Sequence, residues 1–262
     1  MRVTFLTLTL LISGALHASA LEAYAEQTSR FETSVREASK TGNLPRISSE
    51  QAAGESSRMW QDLIESQQSI LAGNYTVEEM ISLLEACGKP GPYTRIYLFH
   101  NTQTFQESGT ATLENSEFTK QVGENLENYK NEITEFSAFA IECFGVLVPL
   151  VQTFWDSLEP AEKTDIRANA TITVRAGIQQ MHQGSLQMIS GRILSDENKN
   201  KLLDSMLSAA PELTTILSIQ DRKDMQSLFT GYESKLSSNY IEKIRLISST
   251  YDNEECISLC QL

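Results

Sequence analysis

The chain has 262 residues, and its 34 Asp and Glu against 21 Lys and Arg give a net charge of −13. That acidity excludes general nucleic-acid binding, because a polyanion is repelled, and excludes a polybasic membrane-surface module. A hydrophobic content of 40% supplies a real core, while 13 Gly and 6 Pro are too few for a turn-rich β-sandwich.

Arg2, an uncharged apolar run from Val3 to Leu16, and Ala18-Ser19-Ala20 form the succession read by signal peptidase. Residues 1–20 are therefore expected to be a signal peptide cleaved after Ala20. The run is shorter than the ~20 residues a membrane span needs. Cleavage removes Arg2 and no acid, leaving 21–262 with a net charge of −14. The expected location is exported, either periplasmic or extracellular. Cys87, Cys143, Cys256 and Cys260 all lie in the mature part, which suits disulfides in an oxidising compartment. Three connectivities are open; in one, Cys256 pairs with Cys260 across a helix turn and Cys87 pairs with Cys143.

The mature chain reads as an all-α, elongated antiparallel bundle with long central helices, little or no β structure, and a single domain. Residues 22–39 form a weak helix with sparse apolar contacts at Tyr24, Phe31 and Val35, and the part up to 45 is expected to pack loosely. Ser48-x-x-Gln51 resembles a capping box, and Trp60, Leu63, Ile64, Gln67, Ile70 and Leu71 follow helical spacing. Thr76-x-x-Glu79 is a cleaner capping box ahead of Met80, Leu83, Leu84 and Cys87, and Gly88 stops that helix before the Pro90-Gly91-Pro92 turn. Tyr93 to Phe105 has strand propensity, with a short helix from Pro92 as the alternative. Residues 101–116 read as an exposed loop.

Phe118, Val122, Leu126, Tyr129, Ile133, Phe136, Ala140 and Phe144 form a heptad-like seam on one long helix over 116–158, expected to kink at Pro149. Pro160 restarts a helix to about Leu194. Ser195-Asp196-Glu197 caps the next, which buries Leu202, Leu203, Met206 and Leu207 until Pro211 interrupts. Asp221 opens a last long helix with the face Met225, Leu228, Phe229, Tyr232, Leu236, Tyr240, Ile244 and Ile247.

Four features bear on function. The segment Phe136 to Trp155 has one charge, Glu142, and is long enough to cross a bilayer. Its apolar members are Phe136, Phe139, Ile141, Phe144, Val146, Leu147, Val148, Leu150, Val151, Phe154 and Trp155. Glu142, Gln152 and Pro149 favour a buried bundle core over lipid. The second feature is Ala170, Gly177, Gly184 and Gly191, seven apart, which read as a close-packing stripe against the 116–158 helix. Third, His100 and His182 lack a partner nucleophile in sequence and read as surface or capped side chains. Fourth, Asn74-Tyr75-Thr76 and Asn169-Ala170-Thr171 are glycosylation sequons that matter only in a eukaryotic source.

No catalytic residue, metal site or cofactor is expected, because no nucleophile elbow, Walker loop, dinucleotide fingerprint or paired metal ligands occur. The function expected is a non-enzymatic exported protein acting through a protein or envelope partner, or by self-association. The alternative is a membrane-active protein that inserts Phe136 to Trp155.

Overall fold

The computed structural model describes residues 4–42, 44–47, 54–112 and 114–262. Among them every regular element is helical, as an all-α bundle with long packed helices requires. Where the sequence reads as one domain, the chain divides into two compact units, Met1–Lys89 and Pro90–Leu262. The division falls where α3 has ended at Gly88 and Pro90, unable to donate a backbone hydrogen bond, opens a new helix.

In the first unit, α1 (Thr4–Thr41) packs on α2 (Glu55–Leu71), and a 3-10 turn at Val77–Glu79 leads into α3 (Met80–Gly88). Within 21–45, Tyr24, Phe31, Val35 and Leu44 are buried, and the Phe31 ring meets Trp60 edge-on with centroids 5.2 Å apart. Tyr24, Thr28, Phe31 and Val35 step by four, three and four, so one stripe of α1 faces the core although the rest is polar. The Thr76 box forms, with the Thr76 N–H donating to Glu79 Oε2 at 2.9 Å. The Ser48 box lies outside the described residues.

The second unit contains α4 (Pro90–Leu98), α5 (Gln103–Glu107), α6 (Ser116–Asn128), α7 (Lys130–Ser157), α8 (Asp165–Ser190), α9 (Asp196–Ile216), α10 (Ile219–Glu233) and α11 (Ser238–Thr250). Pro90-Gly91-Pro92 is the first turn of α4 rather than a connecting turn, and the strand-like Tyr93 to Leu98 segment is helical. Tyr93 and Tyr97, one helical turn apart, both lie against Phe136 of α7, at 5.3 and 6.1 Å between centroids. That packing overrides β propensity. Most described residues of 101–116 are exposed, and they include the helix α5 and the first residue of α6.

The long helix breaks at Tyr129, whose φ of −116° and ψ of 24° separate α6 from α7. Pro149 and Pro211 both lie inside continuous helices. Pro211 is exposed, and buried Ala209 and Ala210 before it and Leu213 and Thr214 after it anchor α9 on both sides. The last long helix is likewise two, with Ser237 at the N-cap of α11. Its apolar face survives the break, since Met225, Phe229, Tyr240, Ile244 and Ile247 are all buried.

Candidate functional site

The segment Phe136 to Trp155 occupies most of α7. Phe136, Phe139, Ile141, Leu147, Val148 and Trp155 are buried, while Phe144, Val146, Leu150, Val151 and Phe154 are half-buried. Glu142 accepts a hydrogen bond from Ser205 Oγ of α9 at 2.6 Å, which gives the one carboxylate of the segment a protein partner. By length and composition α7 is apolar enough to cross a membrane, as a core helix also can be.

The principal neighbour of α7 is α9, not α8 as the short Glu159-Pro160 link suggests. A methyl group placed on Gly145 would lie 3.0 Å from Ala209 Cβ and 3.2 Å from Ala209 Cα, so the close backbone approach in this bundle is at Gly145. The stripe read from sequence is on the wrong side of α8. Ala170 and Gly177 are exposed, a methyl group on Gly177 or Gly184 would meet nothing within 4 Å, and Gly191 lies beyond the helix as its C-cap. The helix instead buries Thr171, Arg175, Ile178, His182, Ser185, Leu186 and Ile189, which lie on one face of the helix.

That buried face carries the polar centre of the second unit. Arg175 is 4% exposed and Arg222 of α10 is 3% exposed. The Arg175 Nε donates to Ile216 O at 2.7 Å, Nη1 to Leu262 O at 3.4 Å, and Nη2 to Leu259 O. Asp221 Oδ2 lies 3.8 Å from Arg175 Nε and also accepts from the Ser218 backbone N–H and hydroxyl, as the capping box of α10. The Arg222 Nε reaches Thr214 O and Leu217 O at 3.1 Å each, and its Nη1 reaches Asn253 O at 2.5 Å and Glu255 O at 2.7 Å. Burial lowers both guanidinium pKa values from the ordinary arginine value. Both cations cap the carbonyls at the end of α9, where the helix dipole favours positive charge.

His182 is fully buried rather than at the surface. Its Nδ1 lies 2.8 Å from Ile178 O and its Nε2 lies 3.5 Å from the Tyr251 hydroxyl. This pairing assigns the proton to Nδ1, leaving Nε2 to accept. The rings of Phe229 and Tyr251 enclose it, and burial pushes its pKa down to about 4. Burial pushes the Tyr251 hydroxyl up. A neutral imidazole held this way orients a core. His100 is also buried, its ring edge-on to Tyr129 at 5.8 Å, and Asn125 Nδ2 donates to its backbone carbonyl at 2.7 Å.

All four cysteines are oxidised. Cys256 bonds Cys260, and Cys87 and Cys143 are each disulfide-bonded. Among the described residues no group of three or more His, Cys, Asp and Glu converges to hold a metal ion. In the first unit an open groove of about 900 Å³ runs between α1 and α2 beside Arg30, Arg58 and Asp62, but none of its lining side chains is buried.

The arginine centre was not anticipated from the sequence. One signal was available: Arg175 is the lone charge between Arg167 and Arg192, in a helix otherwise free of charge there. No protein-family model, curated protein or solved structure matches the chain.

Proposed function

We propose that the chain is an exported, non-enzymatic helical protein that works by binding another protein or an envelope component. The outward side of α8 carries the proposal. Ile166 is 81% exposed and Ile172 is 49% exposed, and Asn169, Ala170, Thr173, Ala176, Gly177, Gln180, Gln183 and Gln187 accompany them without a charge from 168 to 190 on the exposed side. On a chain of net charge −13, such a face lets a partner approach with little desolvation of ions. The oxidised cysteines support an exported compartment, and cleavage after Ala20 is the proposed route.

The test is the double change Ile166→Glu and Ile172→Glu, both at exposed positions that leave the core untouched. Chemical crosslinking and light scattering of the purified protein, and co-purification from an envelope fraction, should show an association that the double variant loses. An association indifferent to both changes, or none in either protein, would remove the basis for this reading.

The membrane-active alternative draws support from α7 being long and apolar enough to span. Vesicle leakage by the purified chain is its test, and intact vesicles at protein concentrations that saturate their surface would end it.

A further inference from the structure

Residues 252–262 follow α11 as a strap laid against the bundle of the second unit, touching α7 and α9. Its own regular structure is limited to a 3-10 turn at Ser258–Gln261. The strap is held mainly by what it borrows. Leu259 is fully buried and joins the core around α9 and α10, and the Ser258 hydroxyl donates to the Asp156 carboxylate of α7.

The two buried arginines divide their donors between two hosts. Arg222 holds Thr214 of α9 and its C-cap Leu217 with Nε, and Asn253 and Glu255 of the strap with Nη1. Arg175 holds Ile216 of α9 with Nε, and Leu259 and Leu262 of the strap with its two Nη groups. Departure of the strap would therefore leave both cations anchored on the carbonyl end of α9, with Asp221 still beside Arg175. The seat would stay formed while the strap-facing N–H groups opened to solvent.

The Cys256–Cys260 bond closes the strap into a ring around Leu259, the residue that enters the core. Cys260 is buried, but Cys256 is half-buried between exposed Glu255 and Ile257, which is 72% exposed. Of the two bonded residues, Cys256 is therefore the one nearer solvent.

We propose that this disulfide is a redox latch: while it is intact the strap stays seated, and reduction by a dithiol releases the strap and uncovers the Leu259 seat with the strap-facing N–H groups of Arg175 and Arg222. A thiolate of the dithiol attacks Cys256 Sγ, and the S–S bonding pair leaves on Cys260 Sγ, which takes up a proton. The second thiolate of the dithiol then attacks the mixed disulfide and frees Cys256 as a thiol after protonation. The protein gains two electrons and two protons, and the dithiol becomes a disulfide. Opening a ring of this size returns chain entropy to the strap, which favours the unseated form by about 30-fold on the loop-closure account.

The experiment is hydrogen exchange read by mass spectrometry on the full chain in three forms. These are the oxidised protein, the same protein treated with dithiothreitol, and the double variant Cys256→Ser/Cys260→Ser, which keeps Cys87 and Cys143. Amides of 254–262 should exchange about 30-fold faster in the double variant, and faster in the treated protein, with α9 amides unchanged. Strap exchange that stays slow in the double variant would overturn the proposal, because the arginines alone would then hold it. Exchange that rises in α7 and α9 together with the strap, or loss of the folded state, would also overturn it by making the strap an inseparable part of the core. So would a disulfide that dithiothreitol reduces only when the whole bundle unfolds.

Discussion

Gly145 and Gly184 differ in what a methyl group would meet. At Gly145 it would press on Ala209 at 3.0 Å, including backbone at 3.2 Å, whereas at Gly184 it would find open space. Gly184→Ala should therefore stabilise by up to ~1 kcal/mol through helix propensity alone. Gly145→Ala gains the same propensity but incurs overpacking of ~1–3 kcal/mol, so it should melt below the parent protein. Chemical denaturation of the two variants checks the order, and a stabilised Gly145→Ala protein would place the close approach elsewhere. His182 gives a second test at this scale. Its pKa is about 4 in the fold against an ordinary 6.5, so between those values the unfolded chain binds a proton that the folded chain does not. Stability should fall as pH drops from about 6.5 towards 4, by roughly 3 kcal/mol in all from this group. His182→Gln should flatten that part of the stability curve; an unchanged slope would mean that other groups set it.

Helix identity was legible in the sequence where a cap and an apolar period agree, as at Ser195, whose Oγ accepts from the Asn198 N–H at 3.2 Å ahead of buried Leu202, Leu203 and Met206. Helix ends were not legible where the apolar period runs on without a stop. Phe118, Tyr129, Ile133 and Phe136 are all buried, so the seam passes through the break at Tyr129 and hides it. The prolines mislead in the opposite direction, because burial on both sides of Pro211 holds the helix through a missing donor. The polar centre escaped because arginines bonded to backbone carbonyls distant in sequence leave no local spacing to read. Helix α7 supplies the prediction at this scale. Val148 is 1% exposed within the apolar core and lies six residues from Glu142, about 240° around the helix. Val148→Asp should destabilise the soluble protein by ~3 kcal/mol or more. Thermal melts without lipid measure it. A nearly normal melt combined with lost vesicle leakage would mean that α7 serves lipid rather than the core.

Over the whole molecule, the oxidation state and the start of the chain become one measurement. Four oxidised cysteines belong to a compartment that maintains disulfides. In the full chain α1 runs as one helix through Ala20. Tyr24, Thr28, Phe31 and Val35 of this helix are buried and all follow that position, so a chain that starts at Leu21 retains the residues of the Phe31–Trp60 contact. The chain starting at Leu21 should keep its helical signal and its cooperative melt, which circular dichroism checks. The intact mass of protein recovered from its native host should correspond to a chain starting at Leu21 and lying four hydrogens below the fully reduced mass. Thiol labelling after unfolding should find no reactive cysteine before reduction and four after it. A mass that retains Met1 together with four free thiols would place the protein in a reducing compartment and withdraw the exported reading, along with any role for a disulfide in holding the strap. A chain that starts at Leu21 with Cys256 and Cys260 reduced would separate the two ideas. Export would stand, and the latch would be found already open in the cell.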